Sequence, residues 1–512
     1  MRVRRKTVIE YPPHAGPRDD VRTFGLELAP PVPAMVLVGS VLIASLGLLI
    51  RPVADADFWL HVRTGQWIVE HRALPAHDLF TYTVTGHAWV SHEYLTEVLL
   101  WLLRSATGLA GVSVAFGAMT WLGLVLVTAA CRPRSQPYPI VGAAVALGVA
   151  AGAPIWGPRP QMVTFLLVAL ELLWLRRAMT DARSRAILWL PAVMALWSNL
   201  HGGWPLGFLF LGIAATAEAM AWLRDREPEH LALVRRLALV GALSAGAVGI
   251  NPNGLAIYAY PFQTLTSAAQ QGLIQEWASP DFHLASLRAF ELMALVLIAG
   301  LALGRPRPFD LLTALAALAL ALESVRHVPI FVAAATPVLV ATWSEVWRRL
   351  GAPRVPASRP RWGPALGAAT LLAVVAVIAP RVTVELARQP AVTAAAVPVG
   401  AAAWLAAHPE TGTRMFNEYA WGGYLADRFF PDPRRRVYVL SEGVLIGDAQ
   451  LLRYRDVATL RPGWRRILDQ DRVDYVVFDR GSALDGELAA DPGWRAAYRD
   501  ATAVVYVRAP AT

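Results

Sequence analysis

The sequence predicts a polytopic α-helical membrane protein that ends in a small α/β domain. Hydrophobic residues make up 55% of the 512 residues and charged residues only 17%, so a soluble protein of this composition would have too little polar surface to cover itself. Apolar runs of about 20 residues, the length that crosses a bilayer as a helix, recur along the chain. After Pro380 these runs stop, and mixed charge with alternating apolar residues predicts the α/β domain.

About eleven apolar runs are predicted to span the membrane. The first run is too long and starts too late for a cleaved signal peptide, so it is interpreted as a retained span. The predicted spans lie near residues 33–50, 108–130, 138–156, 161–176, 186–199, 204–223, 236–250, 287–304, 309–323, 327–347 and 363–380.

The distribution of arginine among the loops orients the chain. Counted from a cytoplasmic N-terminus, every second loop is basic, as the positive-inside rule requires. The net charge of +9 therefore reflects orientation in the membrane and does not indicate a nucleic-acid partner. The predicted inner loops contain Arg132 and Arg134, then Arg176 to Arg185, Arg224 to Arg236, Arg305 and Arg307, and Arg348 to Arg361.

These patterns divide the chain into three parts. Residues 1–32 are predicted to form a cytoplasmic tail, residues 33–384 a transmembrane domain, and residues 385–512 a soluble extracytoplasmic domain. The transmembrane domain has a large first outer loop over residues 52–107. In this loop two segments carry apolar residues at helical spacing opposed by charges, which predicts helices that lie at the membrane interface. These segments are residues 62–72 and 91–104.

The C-terminal domain is predicted to alternate short strands and helices. Runs rich in β-branched and aromatic residues predict strands at 415–416, 436–440, 475–478 and 503–507. Helical periodicity predicts helices at 399–407, 448–457, 463–470 and 493–498. The segment Trp421-Gly422-Gly423-Tyr424 has two glycines but lacks the strand-to-helix pattern of a phosphate-binding loop.

Two aspartates, Asp55 and Asp57, follow the first predicted span. An aspartate costs roughly 2.5–3.5 kcal/mol at the centre of a spanning helix, so both are expected at or beyond the lipid edge. There, one carboxylate can act as a general base, or both can converge on a divalent cation such as Mg²⁺ or Mn²⁺. Carboxylates that are only solvated, or that cap a helix, would give the same pattern.

Other polar residues of the outer loops are candidates for binding a substrate. Arg159 suits a phosphate group through paired hydrogen bonds, although it could equally reach lipid headgroups. Arg326 is a second cation for a phosphate, with an ion pair to Glu323 as the structural alternative. The predicted substrate-binding residues are His61, Asp78, His92, Glu93, Arg159, Gln161, Asn199, His201, Arg326 and His327.

A series of short motifs runs through the membrane part and into the C-terminal domain. They are Asp55-x-Asp57-x-Trp59-x-His61, Trp89-x-x-His92-Glu93, Arg159-Pro160-Gln161, Asn199-x-His201-Gly202-Gly203, Asn251-Pro252-x-Gly254, Glu276-Trp277, Arg326-His327 and Asn417-x-Tyr419-x-Trp421-Gly422-Gly423. Together they resemble the bacterial membrane glycosyltransferases of the GT-C superfamily, of the RgtA/B/C/D-like and mannosyltransferase-like kind. The chain departs from this group at Ser441-Glu442-Gly443, where Asp-Gly-Arg is expected.

The resemblance implies a GT-C-like fold in a bacterial inner membrane. It also implies transfer of a hexose or pentose from a polyprenyl-phosphate-linked donor to a glycan, lipid or protein acceptor on the outer side. It assigns Asp57 as general base or metal ligand, with Asp55 beside it. Membrane lipids are the remaining expected partners. The residue types are suited to this reaction, since a carboxylate can take the acceptor's proton while cations stabilise the departing lipid phosphate.

Two alternatives remain open at the level of sequence. A non-catalytic transporter or flippase for lipid-linked glycans, or an envelope glycan assembly factor, would use the outer loops only for binding. A transporter is expected to carry charges near mid-membrane beside broken helices, whereas the polar motifs here share one face. A ligase that joins whole glycan chains would have a large outer loop late in the chain, but the large loop comes first.

Overall fold

A computed structural model describes residues 32–131, 136–181, 183–351 and 363–509, and this part of the chain is mostly helical. Residues 1–31 of the predicted tail and the inner-loop residues Arg132, Arg134, Arg354, Arg359 and Arg361 lie outside the described residues. The helices of the membrane part are α1 (Val32–Leu49), α2 (Phe58–His71), α3 (Tyr94–Ala130), α4 (Tyr138–Ala151), α5 (Gln161–Ala178), α6 (Leu190–Leu200), α7 (Pro205–Asp225), α8 (Pro228–Val248), α9 (Ala256–Thr266), α10 (Ala268–Leu273), α11 (Arg288–Leu303), α12 (Pro308–Glu323), α13 (Val328–Arg349) and α14 (Gly363–Ala387).

Each predicted spanning run coincides with one of these helices over most of its length. Helix α4 is apolar but short for a span. Among the described residues, the helical segments long and apolar enough to cross a membrane are Tyr94–Ala130, Pro205–Asp225, Pro228–Val248, Ala285–Leu303, Val325–Arg349 and Gly363–Ala387. The count of about eleven spans stays a prediction.

Helix α13 lies at the centre of the bundle. The run from Val328 to Val340 is buried almost throughout, and small residues such as Ala333 and Ala334 let neighbouring helices approach it. On α4, a Cβ atom at Gly148 would lie 3.0 Å from Val332, so this crossing depends on the absence of a side chain. The start and the end of α13 consequently take part in the cavities at the two ends of the bundle.

The first outer loop contains two helical segments, as the sequence predicts. The first is α2, and the second is the part of α3 before Gly108, where a φ of 67° breaks the helix. Helix α2 crosses α3 so closely that a Cβ at Gly65 would lie 2.0 Å from the carbonyl oxygen of Glu97. This crossing brings His61 beside Glu97, with His61 Nδ1 3.4 Å from Glu97 Oε1.

The C-terminal domain combines short helices with a four-stranded sheet. Strand β1 is parallel to β2, whereas β4 pairs antiparallel with both β2 and β3, in the order β1-β2-β4-β3. The elements are α15 (Gln389–Ala396), α16 (Val399–Ala407), β1 (Met415–Asn417), α17 (Gly422–Phe429), α18 (Gly443–Ile446), α19 (Asp448–Ala458), α20 (Trp464–Gln470), β2 (Tyr475–Asp479), α21 (Ala483–Ala490), β3 (Trp494–Arg499) and β4 (Ala503–Arg508).

Two predictions for this domain are wrong. Residues 436–440 are not a strand of the sheet: the backbone N–H of Val437 donates to Phe80 O at 3.1 Å, so the segment pairs with the first outer loop. Residues 493–498 do not form a helix but begin the edge strand β3. In β3, Arg499 binds Asp485 at 2.8 Å and the backbone pairs with β4.

The glycine pair Gly422-Gly423 packs the C-terminal domain against α2. A Cβ at Gly423 would lie 2.9 Å from Leu60 Cβ, and one at Gly422 would lie 2.1 Å from the carbonyl oxygen of Val439. Beside this contact, Arg104 Nη1 lies 3.2 Å from Asp427 Oδ2. The glycines therefore permit close docking of the domain on the first outer loop.

The orientation in the membrane can be tested by cysteine labelling at Thr85, Arg183 and Ala490. All three positions are exposed, and the native Cys131 is buried, so it gives little background. We expect cysteines at 85 and 490 to react with an impermeant maleimide in intact cells, and one at 183 to react only after permeabilisation. If only the cysteine at position 183 reacts in intact cells, the orientation of the protein in the membrane is the reverse of the predicted one.

Candidate active site

A cavity of about 290 Å³ lies where the loops predicted to be outer meet the C-terminal domain. Its walls come from the start of α2, the residues before α3, the start of α5, the loop after α6, the start of α13 and the turn after residue 440. The predicted site residues that line it are Asp55, Asp57, His61, His92, Glu93, Gln161, His201, Arg326 and His327.

Two predicted binding residues lie away from this cavity. The carboxylate of Asp78 accepts hydrogen bonds from the backbone N–H of Phe80 at 3.1 Å and from Thr81 Oγ1 at 2.7 Å, so it holds a turn of the outer loop. Asn199 Nδ2 donates to Ile250 O at 2.8 Å and fixes the end of α6. Their positions favour a role in loop structure over substrate binding.

Arg159 connects two carboxylates at the edge of the cavity. Its Nε lies 2.9 Å from Asp55 Oδ2, and its Nη1 donates to Glu276 Oε1. Burial disfavours the guanidinium charge, but the neighbouring Asp55 and Glu276 outweigh burial and raise the pKa of Arg159. Arg159, predicted to bind phosphate, is thus already neutralised by two acidic partners.

Asp57 lies at the N-terminal end of α2 and faces the cavity. Its backbone N–H donates to Asp55 Oδ1 at 3.1 Å, which holds the Asp55 carboxylate against the backbone of Asp57. Burial, reinforced by the negative charge of Asp55, raises the pKa of Asp57 to about 7, although His61 and Ser441 act in the opposite direction. A carboxylate with this pKa can both accept and release a proton near neutral pH.

Glu93 lies among three imidazoles. The distances from its carboxylate are 2.9 Å to His92 Nε2, 3.6 Å to His201 Nε2 and 3.8 Å to His61 Nε2. Burial opposes its charge, but the charge and hydrogen bond of His92, together with the charge of His61, outweigh burial and lower the pKa of Glu93. Burial also opposes the charge of His61, yet its contacts with Glu97 and Glu93 raise the pKa of His61 to about 10.

His201 has a defined tautomer. Its Nδ1 lies 2.9 Å from the backbone N–H of Gly203, which must donate, so Nδ1 is an acceptor. Thr164 Oγ1, 2.7 Å from the same nitrogen, accepts in turn from Trp197 Nε1 at 2.9 Å. Burial, together with the charge of Arg326, lowers the pKa of His201 to about 4. His201 is therefore neutral, with its proton on Nε2 toward the cavity.

Arg326 is a cation without a carboxylate partner among the residues that the structure describes. Its guanidinium carbon lies 4.4 Å from the ring centroid of Trp277, a cation–π contact, and the alternative ion pair with Glu323 is not formed. This corner of the cavity has a positive potential suited to an anion.

Several residues of the cavity were not predicted. Tyr260 donates its hydroxyl to Glu442 Oε1 at 2.9 Å and stacks on the His92 ring with centroids 3.8 Å apart. Glu442 belongs to the turn Ser441-Glu442-Gly443, which departs from the expected motif. That departure was the one feature of the sequence that could have indicated Glu442 as a cavity residue. Ser441 lies beside Asp57, which makes the C-terminal domain part of the cavity wall.

Asp55 and Asp57 do not fit a divalent cation. The guanidinium of Arg159 already occupies one oxygen of Asp55, and a positive charge at that distance opposes a second cation. Within the described ranges, no group of three His, Cys, Asp or Glu side chains is arranged to hold a metal ion.

Comparison with known proteins finds similar solved structures, among them two of ArnT. No protein-family model and no curated protein matches the sequence. The structure of ArnT from Cupriavidus metallidurans bound to undecaprenyl phosphate is 14% identical, covers 93% of this chain and 98% of its own, and gives a TM-score of 0.46. ArnT in the apo state is 14% identical, with coverages of 92% and 97% and a TM-score of 0.47. The chain is thus similar to ArnT along nearly its whole length, at low sequence identity.

Proposed function

We propose that the protein is a membrane glycosyltransferase that moves a sugar from a polyprenyl-phosphate-linked donor to an acceptor on the outer side of the membrane. The observation that carries the proposal is that two groups line one cavity: Asp57, a half-buried carboxylate whose pKa is raised to about 7, and Arg326, a cation without a carboxylate partner in the described structure. A base and an anion site facing one space are what transfer from a lipid phosphate needs.

Asp57 acts as the general base in this proposal. Its carboxylate takes the proton of the acceptor hydroxyl while that oxygen forms a bond to the anomeric carbon of the donor. The bond between the anomeric carbon and the phosphate oxygen breaks, and the phosphate leaves with the electron pair. Arg326 lies where it can stabilise the charge that develops on the departing phosphate.

Asp55 and Arg159 position the base. Asp55 holds the backbone of Asp57 through its Oδ1 and is itself held by Arg159 through its Oδ2. The negative charge of Asp55 also contributes to the raised pKa of Asp57. We therefore assign Asp55 and Arg159 as positioning residues. In this proposal Arg326, and not Arg159, is the direct ligand of the phosphate.

Other residues of the cavity wall supply groups suited to sugar hydroxyls. Glu442, His92 and Glu93 bring carboxylate and imidazole groups to the cavity, and each is tied to a neighbour, so its orientation is fixed before a ligand arrives. Charged carboxylates make short and strong hydrogen bonds with hydroxyl donors. This wall supports a polar head group, a hexose or a pentose, over a purely apolar ligand.

Assays with a panel of polyprenyl-phosphate-linked hexoses and pentoses test the proposal. We expect the purified protein to consume at least one donor and to release free polyprenyl phosphate in the presence of membrane extract as acceptor. The Asp57→Asn variant, prepared identically, is the matched control. Binding of a donor without consumption under any condition would favour the transporter or assembly-factor alternative.

The transfer rate should rise with pH through about 7. Asp57 accepts a proton only when ionised, and its pKa of about 7 means that the ionised fraction falls about tenfold per pH unit well below that value. A profile of kcat between pH 5 and pH 9 checks this. In the Asp55→Asn variant the midpoint should move to lower pH, because the adjacent negative charge is removed. A pH-independent rate in the wild type would contradict the assignment of Asp57.

A further inference from the structure

A second cavity, of about 650 Å³, opens at the opposite end of the helix bundle. Gln161 at the start of α5 lines the first cavity, and Arg176 near the end of α5 lines the second. At a rise of 1.5 Å per residue these two positions are about 22 Å apart, so the cavities are separate. The second cavity lies on the side that the arginine pattern predicts to be cytoplasmic.

Exposed arginines surround the mouth of this cavity. Arg305 and Arg307 come from the loop before α12, and Arg348 comes from the end of α13. None of these three guanidinium groups has a hydrogen bond or ion pair within the described part of the chain. Three uncompensated positive charges around one opening create a positive potential that attracts anions.

The lining carboxylates do not neutralise these arginines, because each already has a basic partner. The pairs are Glu218 with His230 at 2.7 Å, Asp310 with Arg176 at 2.6 Å, and Glu345 with Arg349. The acidic groups of the cavity are therefore engaged, and the excess charge at its mouth is positive.

Arg176 adds buried donors to this cavity. One nitrogen binds Asp310, and the guanidinium lies over the ring of Phe309 at 5.5 Å from the centroid. Its Nε and Nη2 are buried and have no acceptor among the described residues. Loop orientation requires only exposed arginines, so it does not explain a buried guanidinium with unused donors. An anion in the cavity would supply the missing acceptors.

We propose that this cavity binds a phosphate group, carried either by an anionic phospholipid of the inner leaflet or by a soluble phosphate compound. Arginine guanidinium groups match phosphate oxygens through paired hydrogen bonds. Next to the arginines the wall is apolar, formed by Met179, Ala217, Met220 and Ala221, which gives space for the glycerol and upper acyl part of a lipid. This site is independent of the proposed transfer reaction.

Native mass spectrometry of the full-length protein in a neutral detergent tests the proposal. The probes are short-chain phosphatidylglycerol and, separately, inorganic pyrophosphate, with phosphatidylcholine as a lipid whose net charge is zero. We expect saturable binding of phosphatidylglycerol or of pyrophosphate to the wild type. The triple variant Arg305→Gln, Arg307→Gln, Arg348→Gln should bind at least about tenfold more weakly. Thermal unfolding of the variant confirms that it is folded.

Arg235→Gln is the matched control, because Arg235 is exposed on the same predicted side but does not line the cavity. Its binding should equal that of the wild type. Binding of phosphatidylglycerol that pyrophosphate does not displace identifies the lipid as the source of the phosphate, whereas displacement by pyrophosphate identifies a soluble one. No saturable binding of either probe, or equal loss in the control and the triple variant, would overturn the proposal.

Discussion

Replacement of Asp57 with Asn is expected to abolish measurable sugar transfer while the protein remains folded. A general base contributes on the order of 10²–10⁴-fold in rate, and an amide of the same shape cannot accept the acceptor's proton. The Asp57 side chain does not cap α2 with a hydrogen bond, so the substitution removes no capping hydrogen bond from the helix. Donor consumption and thermal unfolding, measured on the same preparation, check both parts of the expectation.

The Asp55→Asn variant is the informative comparison for Asp57→Asn. Asp55 also lines the cavity, but its two oxygens are engaged by the Asp57 backbone and by Arg159. Its loss should lower kcat less than loss of Asp57 and should shift the pH profile. If the Asp57→Asn variant complements a deletion strain as well as the wild type does, the enzymatic proposal fails and the transporter or assembly-factor alternative gains support.

Sequence patterns predicted the helices well because lipid imposes a simple rule. A spanning segment must satisfy its backbone internally and present an apolar surface, so length and hydrophobicity locate it. The same rule does not apply to the C-terminal domain, where the prediction failed twice. Residues 436–440 have strand-like composition, but Asn417 occupies their backbone groups, with its Oδ1 accepting from Tyr438 N at 2.8 Å. Whether such a segment joins the sheet therefore depends on its tertiary contacts, which the local sequence does not contain.

The candidate site was predictable where one loop holds the residues and less so where distant segments meet. Asp55, Asp57 and His61 follow one another after the first predicted span, and the cost of burying a charge in lipid is enough to predict that they lie at the membrane edge. Asp78 belongs to the same loop, yet it turns inward to hold Phe80 and Thr81. Glu442 lies nearly four hundred residues from Asp57 in sequence and joins the cavity only because the C-terminal domain docks on α2.

Arginine positions illustrate why residue type alone does not assign a role. Arg159 and Arg326 both lie at predicted outer ends of helices, and the sequence gives them equal standing as phosphate ligands. In the structure Arg159 has two carboxylate partners, whereas Arg326 has only the face of Trp277. A guanidinium that is already paired with carboxylates has less positive charge and fewer free N–H donors for a phosphate. We therefore expect Arg326 to contribute more than Arg159 to phosphate binding.

Arg326→Gln is expected to weaken binding of a polyprenyl phosphate by roughly 10- to 100-fold, because a charged hydrogen bond contributes about 1.5–3 kcal/mol and each 1.4 kcal/mol is tenfold. Folding should be unaffected, since Arg326 has no ion pair to lose within the described residues. Binding is measured by native mass spectrometry or by quenching of a fluorescent short-chain analogue.

Arg159→Gln serves as the matched control and should give the opposite pattern. Its loss leaves Asp55 and Glu276 as partly buried carboxylates without their common cation, so thermal stability and kcat should fall. Carrier binding should change less than in Arg326→Gln. If Arg159→Gln instead weakens binding more than Arg326→Gln does, the phosphate lies at the Asp55 edge of the cavity, and the corner formed by Arg326 and Trp277 holds the acceptor.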